Sequence, residues 1–433
     1  MERQERLKTD AEAAFRSALE AAEPDRLVAG WLRDHPGAVS PAGRTLVIAV
    51  GKGACSMVSG AMEVLPVRPE EVLVVTKDGH GAACPAGVTV LESGHPRPDA
   101  RSLDAGAAIL DRVEALGPRD GLLLLVSGGA SALADVLPPG LDPEDWFRAN
   151  AALVGAGLPI QAINAVRKHC SLLKGGQLAR AAAPAEVTAL LLSDVVGDDP
   201  AVIGSGPAAP DPTTYADGLA FLPEMPDFPP SLRMHLEAGR AGTHAETPKS
   251  GELGNSRNVV VGNNRSALEA AADALRRRGY EPLILTSRLQ GEARQAARAL
   301  ASVALEAADS GTPLAAPAAL LWGGETTVTL GADPGEGGRS QEMALAMAGD
   351  FDGIPGVGAL CAGTDGTDGP TEAAGGWVDG ATRERAAQAG RSIGEALDGH
   401  NSGAVLELLN DRLVTGPTGT NVMDLNILLV AQG

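Results

Sequence analysis

The chain alternates between short, continuously apolar runs and longer Ala-rich stretches in which apolar positions recur at helical spacing. In the first half the runs are TLVIAV at 45–50, VLVVT at 72–76, VTVLES at 88–93, GLLLLVSGG at 121–129 and VTALLLSDV at 187–195. Runs that are apolar at every position predict strands buried on both faces, and helices between them predict a parallel sheet wrapped by those helices. From Gly204 to Pro230 the sequence GSGPAAPDPTTYADGLAFLPEMPDFPP carries enough proline to predict an extended surface excursion. The polar stretch from Ala241 to Asn255 reads as a domain boundary.

Beyond it the pattern restarts with NVVVGNN at 258–264 and SALEAAADALRRRG, a helix with Ser266 at its N-cap and Gly279 as terminator. EPLILT, AALLWGG, TTVTL, GALCAG and NVMDLNILLV read as further strands, and TTVTL follows LLWGGE closely enough to predict a hairpin and a mixed sheet. The expected fold class is α/β in two domains. Residues 1–240 form a parallel sheet with helices on both faces, and residues 255–433 form a smaller mixed α/β domain.

Length agrees, since 433 residues exceed the size at which a single core stops growing. With 44% apolar but only 3% aromatic residues, the cores fall to Ala, Val and Leu. A formal charge of −20 argues against a nucleic-acid partner, which needs a basic surface, and points to a small substrate. If that substrate is anionic, a few placed Arg and Lys must reverse the sign locally. The cysteines at 55, 84, 170 and 361 show no metal or redox spacing and read as free thiols in a reducing compartment. The charged first 23 residues lack the apolar core of a signal peptide, and no apolar run is long enough to cross a bilayer, so a soluble cytoplasmic protein is expected.

Gly, Ser, Thr and Asp collect at the carboxyl ends of the apolar runs. After TLVIAV comes G-K-G: Ser56 stands where a dinucleotide fingerprint needs its third glycine, and the phosphate-loop spacing is also missing. What remains is a tight turn presenting Lys52 at the carboxyl edge of a sheet, or a surface lysine in a turn. After LLLLV, the residues Ser127, Gly128, Gly129, Ala130 and Ser131 can aim backbone N–H groups inward as an anion nest, or form an ordinary glycine-rich turn. Asp194 ends the VTALLLSDV run, where a carboxylate could take a substrate proton or hold a metal, while Asp198 and Asp199 suit a helix cap better. G-E-G-G-R delivers Arg339 at a helix start, a planar fork matched to phosphate oxygens. Asp365 and Asp368 sit in a Gly/Thr loop without EF-hand spacing, and T-G-P-T-G-T-N at 415–421 is another small-residue loop. With almost no aromatic or His content apart from His95, this inventory suits phosphoryl transfer, where positioning and charge neutralisation do most of the work. No G-x-S-x-G elbow supports a hydrolase.

KDGHG (77–81), ESGHPRPD (92–99), SGGASAL (127–133), INAVRKHCSLLKGG (163–176), SDVVGDDP (193–200), GSGP (204–207), GGRSQEMAL (337–345), GTDGTDGP (363–370) and TGPTGTN (415–421) together resemble the ATP-dependent glycerate 2-kinases of the MOFRL family. The likeness keeps motif order from about residue 45 to the end and is weakest over 208–257. It implies transfer of the ATP γ-phosphoryl group to the 2-hydroxyl of D-glycerate in a cleft between an amino-terminal domain and the MOFRL domain. Lys52 and Arg339 resemble the two essential cations, and Asp194 the acidic residue of the S-D-V-x-G-D motif. Ser127, Gly128, Gly129, Ser131, His95 and Arg167 are then expected at the substrate or its phosphate. Gly337, Gly338, Thr364, Thr418 and Asn421 are expected at the nucleotide, and Asp365 and Asp368 at Mg²⁺. The partners implied are D-glycerate and ATP, with no nucleic acid or membrane, and a homodimer is compatible with the likeness. An NAD(P)H-dependent hydroxypyruvate reductase and a catalytically silent binding protein remain as alternatives.

Overall fold

The computed structural model describes residues 2–39, 42–156, 160–222, 225, 227–331 and 333–432. The chain forms two compact units, Pro24–Val261 and Met1–Glu23 with Gly262–Gly433.

The first unit is built on β1 (Thr45–Val50), β2 (Val72–Lys77), β3 (Thr89–Ser93), β4 (Gly121–Val126), β5 (Glu186–Leu192) and β6 (Ser256–Gly262), in the order β3-β2-β1-β4-β5-β6. Strands β1 to β5 pair in parallel. Leu46, Ile48 and Val50 of β1 join Ile109 and Val113 of the Ala100–Glu114 helix in one core, while Val47 and Ala49 turn to the opposite face, which the Ala54–Val64 helix covers. Burial on both faces is why these strands are apolar at every position.

The second unit holds β7 (Glu281–Leu289), β8 (Ala318–Gly324), β9 (Val357–Gly363), β10 (Gly375–Asp379), β11 (Arg412–Leu413) and β12 (Asp424–Val430), in the order β11-β10-β9-β12-β8-β7. Its sheet is mixed, as expected, but for a different reason. The final strand β12 runs antiparallel between β8 and β9, while β7 pairs in parallel with β8. Both sides of β8 are therefore occupied, and the TTVTL segment forms no hairpin. Among the described residues its only β contact is an isolated bridge between Thr327 and Glu292.

Four further expectations change. The crossing between units comes after the 241–255 stretch, because β6 completes the first sheet, tied by Ser256 Oγ and Asn258 Nδ2, each donating to the Ala208 carbonyl at 2.7 Å. The amino-terminal helix Glu2–Ala21 belongs to the second unit, where Leu7, Ala11, Ala14, Phe15 and Ala18 are fully buried and Lys8 pairs with Asp411 at 2.9 Å. The 204–230 segment is not a surface excursion among its described residues: Tyr215, Leu222, Met225 and Phe228 are buried against Trp146 and Val166, while positions 223, 224 and 226 lie outside the described residues. Asn263, not Ser266, is the N-cap, with Ser266 completing a reciprocal capping box three residues on; Gly279, at φ +89°, ends the helix as expected.

Cysteine use also differs. Cys55 and Cys84 form a disulfide, and Cys170 and Cys361 are buried free thiols. The scattered spacing concealed the bond because β2 and its following loop bring position 84 back beside the helix that starts at Ala54.

Candidate active site

In an open parallel sheet the ligand crevice lies outside the carboxyl ends of the strands where the strand order reverses. In the order 3-2-1-4-5-6 that point falls between β1 and β4, and the G-K-G and S-G-G-A-S turns leave the sheet there. The two turns interlock. Lys52 N–H donates to the Gly128 carbonyl at 2.9 Å, and Gly53 N–H donates to Ser127 Oγ at 3.0 Å. Gly51, at φ +136°, lies so close to Ser127 that a β-carbon there would collide with its hydroxyl. Ser127 and Gly128 therefore lock the lysine turn, and Ser127 is only 2% exposed. Gly129, at φ +88°, packs beside the His95 ring and the Lys52 stem, and Ser131 shares a 2.7 Å hydrogen bond with Ser205. The helix after the loop, Ala130–Leu133, is one turn long and contributes little dipole.

The same sheet edge gathers the ends of β2, β3 and β5. Lys77 ends β2, and His80 follows with its Nδ1 at 3.4 Å from the Lys52 carbonyl oxygen. Burial, then the charges of Lys52 and Lys77, hold His95 down to about 4, so the ring is neutral near pH 7. Asp194 stands half-buried two residues past β5, which lies two strand spacings, roughly 10 Å, from β1. Lys52 and Lys77 bring two positive charges to this edge, beside the carboxylates of Asp78, Glu92 and Asp194. His80 and Lys77 stand at this edge but were not among the expected site residues, although KDGHG at a strand end was a usable signal.

Arg167 lies in the last turn of the Ile160–His169 helix and donates from Nε to Asn150 Oδ1 at 2.8 Å. Burial lowers its pKa, and no carboxylate forms an ion pair with it among the described residues. Its neighbours are different. Lys168 pairs with Asp211 at 3.0 Å and Lys174 with Asp135, all four side chains 3% exposed or less, so this is no solvated helix face.

In the second unit Arg339 opens the Arg339–Asp350 helix. It is no lone cation: Nε and Nη2 donate to the two oxygens of Asp424 at 2.7 and 2.9 Å, and Nη1 donates to Glu325 at 2.7 Å. Burial pushes the Asp424 carboxyl up to about 7 against the pull of Arg339, and Asp368 and Glu325 add to the rise. The guanidinium stays charged. Asp368, expected at a metal, instead receives the backbone N–H groups of Ser340 and Gln341 at 3.0 and 2.8 Å, closing the amino terminus of that helix. Asp365 Oδ1 accepts from Thr367 N–H and Oγ1, both at 3.1 Å, in a turn beside Thr418. Thr418 Oγ1 donates to the Thr364 carbonyl at 2.6 Å, and Asn421 Oδ1 accepts from Met423 N–H at 3.1 Å. Thr364, Thr418 and Asn421 thus brace the loops. Gly337, Gly338, Arg339, Asp365 and Asp368 line one open cavity of 510 Å³. Among the described residues no group of three His, Cys, Asp or Glu could hold a metal ion.

A switch-point lysine turn in one unit, and an arginine-headed helix beside a cavity in the other, belong to a two-unit α/β protein. The sequence profile described as a domain of unknown function (DUF4147) matches residues 10–237, and that of the MOFRL family matches residues 318–424. The chain is 39% identical to a D-glycerate 2-kinase of Thermotoga maritima over 98% of its length and 99% of the relative's. It is 41% identical to an Agrobacterium vitis protein with a provisional hydroxypyruvate reductase name, over 96% and 93%. A crystal structure of the glycerate kinase of Thermotoga maritima superposes with a TM-score of 0.89 at 38% identity, covering 99% of this chain and 100% of that one. The chain belongs to the MOFRL-type glycerate 2-kinase family.

Proposed function

We propose that this chain transfers the γ-phosphoryl group of ATP to the 2-hydroxyl of D-glycerate, giving 2-phosphoglycerate and ADP. The observation that carries the reading is the interlocked turn at the β1/β4 switch point, which holds Lys52 where an α/β sheet receives its ligand. In phosphoryl transfer there is little covalent chemistry for the protein to perform, so positioned charge is the main requirement.

Lys52 neutralises the transferring group, and Gly129, Ser131 and neutral His95 hydrogen-bond the acceptor. Asp194 orients the attacking 2-hydroxyl and takes its proton. Arg167, half-buried, hydrogen-bonded to a neutral amide and near the charge of Asp135, binds the glycerate carboxylate, because a partly desolvated guanidinium gains from an anionic partner. In the second unit Arg339 exchanges a carboxylate for nucleotide phosphate oxygens, with the backbone at Gly337 and Gly338 beside them. A nucleotide-borne Mg²⁺ would need only one or two protein carboxylates, since this metal keeps several waters beside the phosphates. Asp365 would be the residue to hold it, through one oxygen, because Asp368 is engaged at the helix terminus. The ion would supply neutralisation of phosphate charge.

The partners are small molecules, and dependence on ATP argues for the cytoplasm. Among the described residues no helix is long and apolar enough to cross a membrane. A coupled assay for ADP tests the reading: release should require both D-glycerate and Mg²⁺. Oxidation of NADH by hydroxypyruvate, with no glycerate-dependent ADP, would favour the reductase instead.

A further inference from the structure

The cavity in the second unit has more lining than Arg339 and its glycines, and the other lining residues differ in chemistry. Val328, Leu330 and Pro334 give it an apolar wall, and Leu330 is 58% exposed. Thr326 lines the same cavity, only 4% exposed, with a hydroxyl that has no hydrogen-bond partner. A buried polar atom without a partner calls for an explanation, and a ligand group supplies one.

His400 lines the same cavity and is polar. Its Nδ1 lies 3.1 Å from Oε2 of Glu342, whose side chain is 3% exposed, and 3.0 Å from Nη2 of Arg294. Arg294 already donates from Nε to Glu342 Oε1 at 2.6 Å, and its Nη2 also donates to the Leu397 carbonyl. Nδ1 thus faces both a carboxylate, which accepts, and a guanidinium N–H, which can only donate, so the ring tautomer follows whichever of the two it serves. The tautomer that gives Nδ1–H to Glu342 presents the Nε2 lone pair as an acceptor. An apolar wall, an unpartnered hydroxyl and an imidazole nitrogen able to accept suit a flat heterocycle with an exocyclic amine.

We propose that this part of the cavity is the adenine site, resting on the reading of the chain as an ATP-dependent kinase. The base lies against Val328 and Leu330, and its 6-amino group donates to His400 Nε2. The α- to γ-phosphates then run toward Arg339. His400 is a specificity residue: inosine, which carries an oxygen in place of the amine, sets one acceptor against another.

The test compares ATP with inosine triphosphate in the full-length enzyme. His400→Ala should raise KM for ATP by about tenfold, the worth of one well-formed hydrogen bond, leave KM for inosine triphosphate nearly unchanged, and so erase the preference. Leu330→Asp, at an exposed position that keeps folding out of question, should raise KM for both nucleotides several-fold. Neither should move KM for D-glycerate. Wild-type nucleotide values in both variants, or a change confined to D-glycerate, would overturn the assignment. Calorimetric titration with ATP separates the two readings. If the wild type shows no phosphotransfer but both substitutions still weaken ATP binding, the kinase reading fails and the adenine site stands.

Discussion

Lys52 is placed by backbone, not by partners for its own charge. Gly51 adopts a φ that disfavours any side chain, and the Ser127 hydroxyl and Gly128 carbonyl of the neighbouring strand's loop fix the turn from the other side. Each half was legible, G-K-G after one apolar run and S-G-G-A-S after another. That they lock together was not, because 74 residues separate Gly53 from Ser127. The same distance effect hid Asp424 behind Arg339, 85 residues away. Two expectations follow from the electrostatics of single residues. Arg167→Met should raise KM for D-glycerate by 10-fold or more at unchanged KM for ATP, on the order of the 1.5–3 kcal/mol of a charged hydrogen bond, checked by steady-state kinetics. His95, held down to about 4, should contribute a pH dependence of stability. Between about 4 and the ordinary value of 6.5 the unfolded chain binds a proton that the folded chain refuses, so stability rises with pH there and is lost as pH falls. Asp424, raised to about 7, acts in the opposite sense, so the comparison must be made against a variant. His95→Asn should show a shallower gain in urea midpoint from pH 4.5 to 7 than the parent chain.

At the scale of elements, the strands of the first unit were legible because burial on both faces leaves no polar position in them. TTVTL failed because alternating Thr and Val marks a half-exposed strand only where a neighbour has a free edge, and β7 and β12 already flank β8. The segment instead forms one wall of the cavity. Asp368 shows the reverse error: a carboxylate in a Gly/Thr loop suggested a metal, but it serves the first turn of the Arg339–Asp350 helix. Replacing an N-terminal cap costs about 0.5–2 kcal/mol, and this one is buried. Asp368→Ala should therefore lower the melting temperature measurably and impair Arg339-dependent steps, whereas its dependence on Mg²⁺ concentration should match the parent enzyme. Asp365→Ala should do the opposite, weakening Mg²⁺ dependence at nearly unchanged melting temperature.

At the scale of the whole molecule, two α/β units were expected and found, but the chain divides between them differently. The first helix packs across the sequence onto the second unit. Its apolar stripe was visible in MERQERLKTDAEAAFRSALEAAE, whereas the partner that buries it was not, since an amphipathic face does not name what covers it. Phe15 is fully buried in that contact, and Phe15→Ala should cost about 3–5 kcal/mol, read as a lowered calorimetric transition of the second unit. The Cys55–Cys84 bond likewise needed the fold to bring its ends together.

The central claim is that an enzyme built on the Lys52 turn phosphorylates the 2-hydroxyl of glycerate. Phosphorus NMR of the purified chain with D-glycerate, ATP and Mg²⁺, run beside Lys52→Ala, tests it most directly. The expected result is a 2-phosphoglycerate resonance that grows with the parent chain and is lost with the variant. A 3-phosphoglycerate resonance, or equal transfer by Lys52→Ala, would contradict the account.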